Sequence, residues 1–404
     1  MMKRRLGHMP SGRCGLVIYL DNSATTRPHP QVIETMSRAM ASYYGNPSSL
    51  HRKGLEAESV LKQAREVAAK YLGCKPGEVI FTSGGTESNN AAIKGVAFQY
   101  QGRGKHIITT QVEHPAVFDV CKQLESMGFT VTYVPVDHEG RVRLEDVQQA
   151  MRPDTILVSV MHVNNELGTI QPVAEIGKWL KQFPKVLFHV DAVQGIGKVP
   201  LKLKDSGIDL LSVSAHKFYG PRGVGILFKR EGLIIQPLLM GGGQEAGVRS
   251  GTENLPAIAG LAKAIRILEE LGSVETVRLQ RLLEQLREGI SQIEGCQVNT
   301  PKSGVAPHIM NLSVPGVKAE VLLHALEERG FYVSTKSACS SKANEPSRVL
   351  MAIGIEAECA LSSLRISLGR ENTADEVNQF VAALRECVKS LRAYMKTETK
   401  SVTR

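Results

Sequence analysis

Short apolar segments of strand length alternate with segments of helical period over the first two thirds of the chain. The strand candidates are residues Val79–Thr82, His106–Thr110, 130–136, Thr155–Met161, 186–191 and 209–214. Between them lie amphipathic segments, such as the one after Pro30 that places Val32, Met36, Ala39 and Tyr43 on one face. This alternation predicts an α/β domain with a mostly parallel sheet, whose ligand site lies at the carboxyl ends of the strands.

From Leu255 onward the pattern changes to two long helical segments, residues 255–271 and 273–293. A strand candidate at 309–314, a helix at 318–329, short strands at 331–334 and 364–368 and a terminal helix from Ala374 follow. We therefore expect a loose N-terminal extension over residues 1–17, a large α/β domain over 18–270, and a small α+β domain over 271–404. The N-terminal segment of the large domain is expected to pack on the small domain.

Composition and charge exclude several classes of protein. The longest apolar runs are far shorter than the roughly 20 residues of a membrane-spanning helix. The formal charge of +9 lies mostly in the tails, because residues 1–13 carry four bases and no acid, and residues 389–404 carry five bases against Glu398. A near-neutral body does not support a nucleic-acid groove. Seven widely spaced cysteines, with no CxxC pair, indicate a reducing cytoplasm and neither a disulfide framework nor a metal site of the protein's own.

The most informative segment is Ser214-Ala215-His216-Lys217-Phe218-Tyr219-Gly220-Pro221, directly after a strand candidate. A lysine at a strand end can form a Schiff base while its hydroxyl and imidazole neighbours hold a phosphate. Taken alone, a His-Lys pair is more typical of a solvated surface lysine, because most loop lysines are solvated.

Other strand ends add matching groups. The turn Ser83-Gly84-Gly85-Thr86-Glu87-Ser88-Asn89 leads into a helix start that can receive a phosphate, and Asp191 ends an apolar strand with a carboxylate that could pair with a protonated pyridine nitrogen. His114, Asn165 and Gln194 follow strands of the same predicted sheet. Each residue alone could be structural, but their convergence on one sheet edge favours a site for a phosphorylated pyridine cofactor.

Eight segments carry a resemblance to a known family. They are Tyr19-Leu20-Asp21-Asn22-Ser23-Ala24-Thr25-Thr26, Gly45-Asn46-Pro47-Ser48-Ser49, the Thr86 turn, Glu113-His114, Asn164-Asn165-Glu166, Ser214 to Lys217, Val248-Arg249-Ser250-Gly251-Thr252 and Leu364-Arg365-Ile366-Ser367-Leu368-Gly369-Arg370. Over residues 18 to 390 the chain resembles the cysteine desulfurases of the NifS/IscS type, which are fold-type I pyridoxal-phosphate enzymes.

The resemblance implies pyridoxal 5'-phosphate as cofactor and a role for each matching residue. Lys217 would bind the cofactor covalently, His114 would stack on its ring, Asp191 would hold the ring nitrogen and Gln194 the phenolic oxygen. The remaining cofactor-binding residues would be Gly85, Thr86, Asn165, Ser214, His216 and, from the neighbouring subunit of a homodimer, Thr252. Asn165 and Arg365 would bind the carboxylate of the substrate L-cysteine.

Cys339 lies in the polar stretch Ser337-Ala338-Cys339-Ser340-Ser341, whose length before Glu345-Pro346-Ser347 resembles the longer-loop branch of the family. The resemblance implies that Cys339, Lys217 and His114 are catalytic, that L-cysteine becomes L-alanine, and that a Cys339 persulfide passes sulfur to acceptors for iron–sulfur cluster, thio-tRNA or thiamine synthesis. Cys339 could also transiently ligate an iron–sulfur cluster shared with a scaffold protein. Lys336 departs from the glycine of many relatives, which bears on acceptor choice.

Two other functions share parts of this pattern. Another class V enzyme, an aminotransferase or a selenocysteine lyase, would need Lys217 and Asp191 but not an accessible Cys339. A sulfur-relay scaffold without catalysis would keep the fold, but it would not need Lys217, Asp191 and Arg365 together. Sulfide or persulfide formation distinguishes the desulfurase from another class V enzyme, whereas absence of the yellow cofactor absorbance would favour the scaffold.

Overall fold

The computed structural model describes residues 17–335 and 345–402. The strands are β1 (Ile18–Tyr19), β2 (Val79–Thr82), β3 (His106–Thr110), β4 (Thr130–Val134), β5 (Thr155–Met161), β6 (Leu187–Asp191), β7 (Leu210–Ser214), β8 (Gly225–Lys229), β9 (Gln297–Val298), β10 (Ile309–Ser313), β11 (Phe331–Tyr332) and β12 (Ser363–Ser367). The helices are α1 (Pro30–Ser42), α2 (Arg52–Leu72), α3 (Gly85–Tyr100), α4 (Pro115–Ser126), α5 (Leu144–Ala150), α6 (Val173–Leu180), α7 (Leu203–Ser206), α8 (Leu255–Ser291), α9 (Ala319–Glu327), α10 (Arg348–Ala352), α11 (Ala357–Leu361) and α12 (Ala374–Val402). The predicted extension up to residue 16, Lys336 and Cys339 lie outside the described residues.

The large sheet has the strand order β2-β8-β7-β6-β5-β3-β4. Among its described strands only β8 runs antiparallel to its neighbours β2 and β7, so the predicted mostly parallel α/β sheet is confirmed. Every residue of β5, β6 and β7 is buried, because helices cover both faces. The sequence analysis did not identify β8.

Consecutive strand residues point to opposite faces and so divide the core of this sheet. Ile80, Ile107 and Leu210 pack with α3 and α4 on one face. Their neighbours Phe81, Ile108 and Leu211 pack on the other face with α1, α2, α6 and the first half of α8. The sheet is therefore held rigidly between two helical layers, and its strand ends form a fixed edge.

The long helix α8 changes direction at Gly272, which has the non-helical dihedrals φ 54° and ψ −151°. Residues 255–267 of the helix pack into the core of the large sheet, whereas Leu279, Leu286 and Ile290 pack into a separate apolar core. We propose that this bend marks the boundary between the predicted large and small domains.

The second core contains an antiparallel sheet of order β12-β10-β9 and the parallel pair β1-β11. Ile18 and Leu20 are buried in this second core, so the N-terminal segment packs against the C-terminal part of the chain. Within the described residues, no helix is both long and apolar enough to cross a membrane, and no group of three or more His, Cys, Asp or Glu side chains could hold a metal ion.

We predict that Gly177→Ala destabilises the large domain. A methyl group at Gly177 would lie 1.7 Å from the carbonyl oxygen of Ser206 and 3.2 Å from Phe188 Cδ1 of β6. We expect a loss of about 1–3 kcal/mol in the free energy of unfolding, because the overpacking outweighs the better helix propensity of alanine. Thermal and urea unfolding measure it. In Gly77→Ala the new methyl group has no atom within 4 Å, so this variant should unfold like the parent; equal stability of both variants would contradict the prediction.

Candidate active site

A cavity of about 150 Å³ lies at the carboxyl end of the large sheet. It collects ten of the residues predicted from the sequence: Gly85, Thr86, His114, Asn165, Asp191, Gln194, Ser214, His216, Lys217 and Arg365. Thr252 is exposed and does not line this cavity, and Cys339 lies outside the described residues. The expected convergence of strand-end residues is thus present, whereas the individual roles remain proposals.

Lys217 ends a 3-10 turn, Ala215–Lys217, that directly follows β7. Its Nζ donates hydrogen bonds to the carbonyl oxygens of Ser23, at 2.5 Å, and Ala24, at 2.9 Å. Thr26 fastens the same segment to the turn, because its N–H and Oγ1 both donate to the carbonyl oxygen of His216. The N-terminal segment therefore positions the lysine. No role of Ser23 or Ala24 was predicted from the sequence.

Asp191 is buried at the end of β6, and both of its carboxylate oxygens accept hydrogen bonds. Asn89 Nδ2 donates to Oδ2 at 2.7 Å, and the backbone N–H of Val193 donates to Oδ1 at 3.0 Å. Burial raises the pKa of Asp191, and these two hydrogen bonds and nearby Lys217 oppose the rise. An oriented, buried carboxylate is suited to a protonated ring nitrogen, since a cation there would remove the cost of its burial. This role of Asn89 was not predicted from the sequence.

His114 caps the first turn of α4, where its Nδ1 accepts a hydrogen bond from the backbone N–H of Ala116 at 3.1 Å. In the neutral ring the proton is therefore on Nε2. Burial, followed by the positive charge of Lys217, lowers the pKa of His114 to about 4. The imidazole is accordingly neutral near pH 7, which suits stacking on a cofactor ring. The same low pKa makes it a weak proton acceptor in this state.

The turn before α3 forms a cradle of backbone N–H groups. Gly85 is required there, because a methyl group on it would lie 2.7 Å from Val193 Cγ2. The first N–H groups of α3 lack intrahelical partners, and the positive end of the helix dipole lies at the same place, which favours a phosphate. Burial and the charge of Lys217 lower the pKa of nearby His216 to about 4, so this imidazole would meet a phosphate as a neutral hydrogen-bond donor.

Arg365 of β12 closes the cavity from the small sheet and is only 1% exposed. Its Nη2 donates to Asp21 Oδ1 at 2.8 Å and its Nη1 to the carbonyl oxygen of Asn165 at 3.0 Å. The side chain is therefore buried at the cavity and does not face solvent. Asp21 already occupies one arm of the guanidinium that was predicted to bind the substrate carboxylate; burial raises the pKa of Asp21, and Arg365 opposes this rise.

Pyridoxal phosphate fits the chemistry of this cavity. Four buried polar atoms of residues that line it have no hydrogen-bond partner among the described residues, namely Ser23 Oγ, Asn89 Oδ1, Gln194 Oε1 and Arg365 Nε. Buried polar groups are rarely left without partners, so these atoms indicate a polar ligand. A lysine, a buried carboxylate and a helix N-terminus also match the aldehyde, the ring nitrogen and the phosphate of this cofactor.

Comparison with known proteins agrees with this chemistry. The aminotransferase class-V family matches residues 18–380. A curated relative described as cysteine desulfurase IscS, from Dictyoglomus turgidum, is 46% identical over 376 residues, which are 93% of this chain and 95% of the relative.

Solved structures are similar over most of their length. One described as a NifS-like protein superposes with a TM-score of 0.88 at 42% identity and covers 93% of this chain and 100% of its own. Another, described as SspA in complex with cysteine, has a TM-score of 0.75 at 36% identity and covers 87% of this chain and 98% of its own.

We predict that Asp21→Ala destabilises the protein by about 3–5 kcal/mol, because it leaves the buried guanidinium of Arg365 without its carboxylate. Asp154→Ala removes the partner of Arg152 from an exposed ion pair and should cost about 0–1 kcal/mol. Urea unfolding of both variants measures the difference. Equal losses in the free energy of unfolding would contradict the prediction, because the buried pair would then stabilise the protein no more than the exposed one.

Proposed function

Because the chain belongs to the class-V aminotransferase family, and within it to the cysteine desulfurases of the IscS and NifS type, we propose that Cys339 carries sulfur from L-cysteine as a persulfide. The protein is an enzyme, a cysteine desulfurase. The observation that carries the assignment of the site is the convergence of Lys217, Asp191 and Arg365 on one buried cavity.

The proposed cofactor is pyridoxal 5'-phosphate. Lys217 would hold it covalently, Asp191 its ring nitrogen, His114 its ring face and Gln194 its phenolic oxygen, while Gly85, Thr86, Asn165, Ser214 and His216 would complete its site. When bound, the cofactor supplies an electron sink for the bond that breaks at the substrate α-carbon.

The side chains of the protein would do the remaining work. Arg365 and Asn165 would bind the carboxylate of L-cysteine; Arg365 Nε is the donor without a partner among the described residues. Two backbone carbonyl oxygens position Lys217 Nζ at the cavity wall. Once released from the cofactor, this amine would take the α-proton. Asp191 would keep its charge beside the ring nitrogen. His114 as a shuttle for the thiol proton stays a prediction, since its low pKa opposes it.

In the sulfur step, the thiolate of Cys339 would attack the sulfur of the substrate. A sulfur–sulfur bond forms and the carbon–sulfur bond breaks, and the electron pair of that bond passes to the substrate carbon, which is protonated to give L-alanine. No outside oxidant is needed, because the carbon is reduced as the sulfur is oxidised.

Several facts support Cys339 as the nucleophile among the seven cysteines. Burial raises the pKa of Cys74 to about 12 and that of Cys296 to about 11, and it also raises the pKa of Cys121 and Cys387, so none of these four readily becomes a thiolate. Cys339 follows Thr335 by four residues, so the chain can separate their Cα atoms by at most about 14 Å. Thr335 itself is buried next to Ser334, whose backbone pairs with that of Arg365.

The proposal includes a homodimer in which Thr252 reaches the phosphate of the neighbouring subunit. Thr252 is exposed, and so are several large apolar side chains on α1, α2 and the loop before Thr252: Ile33, Met40, Leu55, Leu239 and Met240.

Proposed sulfur acceptors are an iron–sulfur scaffold, with which Cys339 could share a cluster, a tRNA-thiolating enzyme or a thiamine-pathway carrier. A cytoplasmic location is part of the same proposal and is supported by the five free cysteines among the described residues.

We predict that Lys217→Ala abolishes covalent cofactor attachment, because no other lysine lines the cavity within the described residues. Cysteine turnover should fall at least about 10³-fold, since the variant loses the residue that takes the α-proton. Borohydride reduction followed by peptide mass analysis and an alanine assay measure both effects. If Lys217→Ala turned over cysteine at the parental rate, the assignment of the cofactor site would be wrong.

We predict that Cys339→Ser keeps the bound cofactor and cysteine binding but loses sulfur transfer, because binding depends on Lys217, Asp191 and Arg365. Intact mass after incubation with isotopically labelled cysteine measures protein-bound sulfur. Cys359→Ser is the control and should form persulfide like the parent. A sulfur adduct and normal alanine release from Cys339→Ser would remove Cys339 from the mechanism.

A further inference from the structure

The chain on both sides of residues 336–344 is fastened to the cavity wall. On the N-terminal side, the backbone N–H of Ser334 donates to the carbonyl oxygen of Arg365 at 3.1 Å, and Arg365 N–H donates to Ser334 at 2.7 Å. On the C-terminal side, Ser347 caps the N-terminus of α10, and its Oγ donates to Glu166 Oε2 at 2.5 Å. Both Ser347 and Glu166 are buried, and Glu166 follows the cavity residue Asn165.

Arg348 makes a second connection from the C-terminal side. The two arms of its guanidinium donate to the backbone carbonyl oxygens of Gln111 and Glu113. Its guanidinium carbon also lies 3.7 Å from the centroid of the Phe118 ring in α4. These contacts reach the short turn between β3 and α4, and this turn presents His114 to the cavity.

The turn between β3 and α4 is also held by contacts that do not involve Arg348. Glu113 Oε1 accepts hydrogen bonds from Thr110 Oγ1 at 2.8 Å and from the backbone N–H of Met161 at 2.9 Å, and His114 caps α4 with its own ring. In contrast, α10 has only five residues and little intrinsic stability. Support therefore runs from the large sheet to α10, both through Arg348 and through the packing of Val349 and Leu350 with Val112. The helix α10 follows residues 336–344, which include Cys339.

We propose that Arg348 is a positioning residue for sulfur transfer: it holds the start of α10, which follows residues 336–344 with Cys339, against the turn that presents His114. This inference rests on the proposed function, because it assigns Arg348 to the step in which Cys339 accepts sulfur. Arg348 does not line the cavity and touches neither of the groups assigned to substrate binding, Arg365 and Asn165. Its guanidinium is suited to the task, since only a planar fork can bridge two carbonyl oxygens while stacking on an aromatic ring.

The inference predicts a separation of kinetic effects in Arg348→Met. The kcat for alanine formation should fall roughly 10-fold to 100-fold, because a misplaced reacting group costs about this much. The KM for cysteine, the bound-cofactor absorbance and the exchange of the substrate α-hydrogen with deuterated solvent should stay within about twofold, since they depend on groups that Arg348 does not touch. Single-turnover intact mass should show a matching delay in the persulfide of Cys339. Arg348→Lys should recover part of the rate, because an ammonium keeps the charge over Phe118 but reaches one carbonyl.

Arg287 provides a matched control. It is also half-buried, and its two arms also donate to two backbone carbonyl oxygens, those of Thr300 at 2.9 Å and Pro301 at 2.7 Å, away from the cavity. Arg287→Met should retain the parental kcat. Thermal unfolding of every variant shows whether a loss of rate follows a loss of stability. If Arg348→Met fails to fold, Arg348→Lys and Ser347→Ala carry the test, and both should lower kcat with KM unchanged.

Parental kcat in Arg348→Met, or an equal fall in Arg287→Met, would overturn the inference. A fall in the α-hydrogen exchange as large as the fall in kcat would also overturn the inference. Arg348 would then act on the cofactor site and not on the segment with Cys339. A parental enzyme that releases no alanine and forms no persulfide would instead contradict the proposed function, which distinguishes the two failures.

Discussion

The buried guanidinium of Arg365 is the interaction on which the assembly of the site depends. It lies in the small sheet, yet it binds Asp21 from the N-terminal segment and the backbone of Asn165 at a strand end of the large sheet. An unpaired cation in this place would be costly, so contact among the three regions is favoured over arrangements that leave Arg365 buried without its partners. The position of the N-terminal segment then fixes Lys217, because Ser23 and Ala24 accept its hydrogen bonds.

Burial sets the charge states within this frame. The imidazoles of His114 and His216 are held neutral, because each is desolvated beside the positive charge of Lys217. Asp191 keeps two hydrogen bonds that favour its carboxylate against burial. Among the described residues that line the cavity, Asp191 is the carboxylate, Lys217 and Arg365 are the basic side chains other than histidine, and the histidines contribute shape and N–H donors. Lys217 and Arg365, and not charged imidazoles, would therefore provide the attraction for an anionic phosphate or carboxylate.

The sequence was sufficient for the parts of the structure that depend on local pattern. The strands that end at Asp191 and Ser214 are mostly apolar, and the rule that parallel strands share a carboxyl edge brings their final residues together. The sequence was insufficient to predict contacts that join distant segments. Asn89 sits inside a helix and has no local signal of its partner Asp191, 102 residues away. Asp21 and Arg348 were missed for the same reason, and β8 was missed because its direction depends on pairing with β2 and β7.

The pairing of β1 with β11 and of Asp21 with Arg365 has a consequence for biosynthesis. Asp21 and Arg365 are 344 residues apart, so at a typical 5–20 residues per second the ribosome needs roughly 17–70 s to make the second after the first. Once β8 has been made, the large sheet can form while the carbonyl oxygens that hold Lys217 are still unanchored. The surroundings of Lys217 are therefore completed only when the last part of the chain has emerged, well after the sheet that carries this lysine.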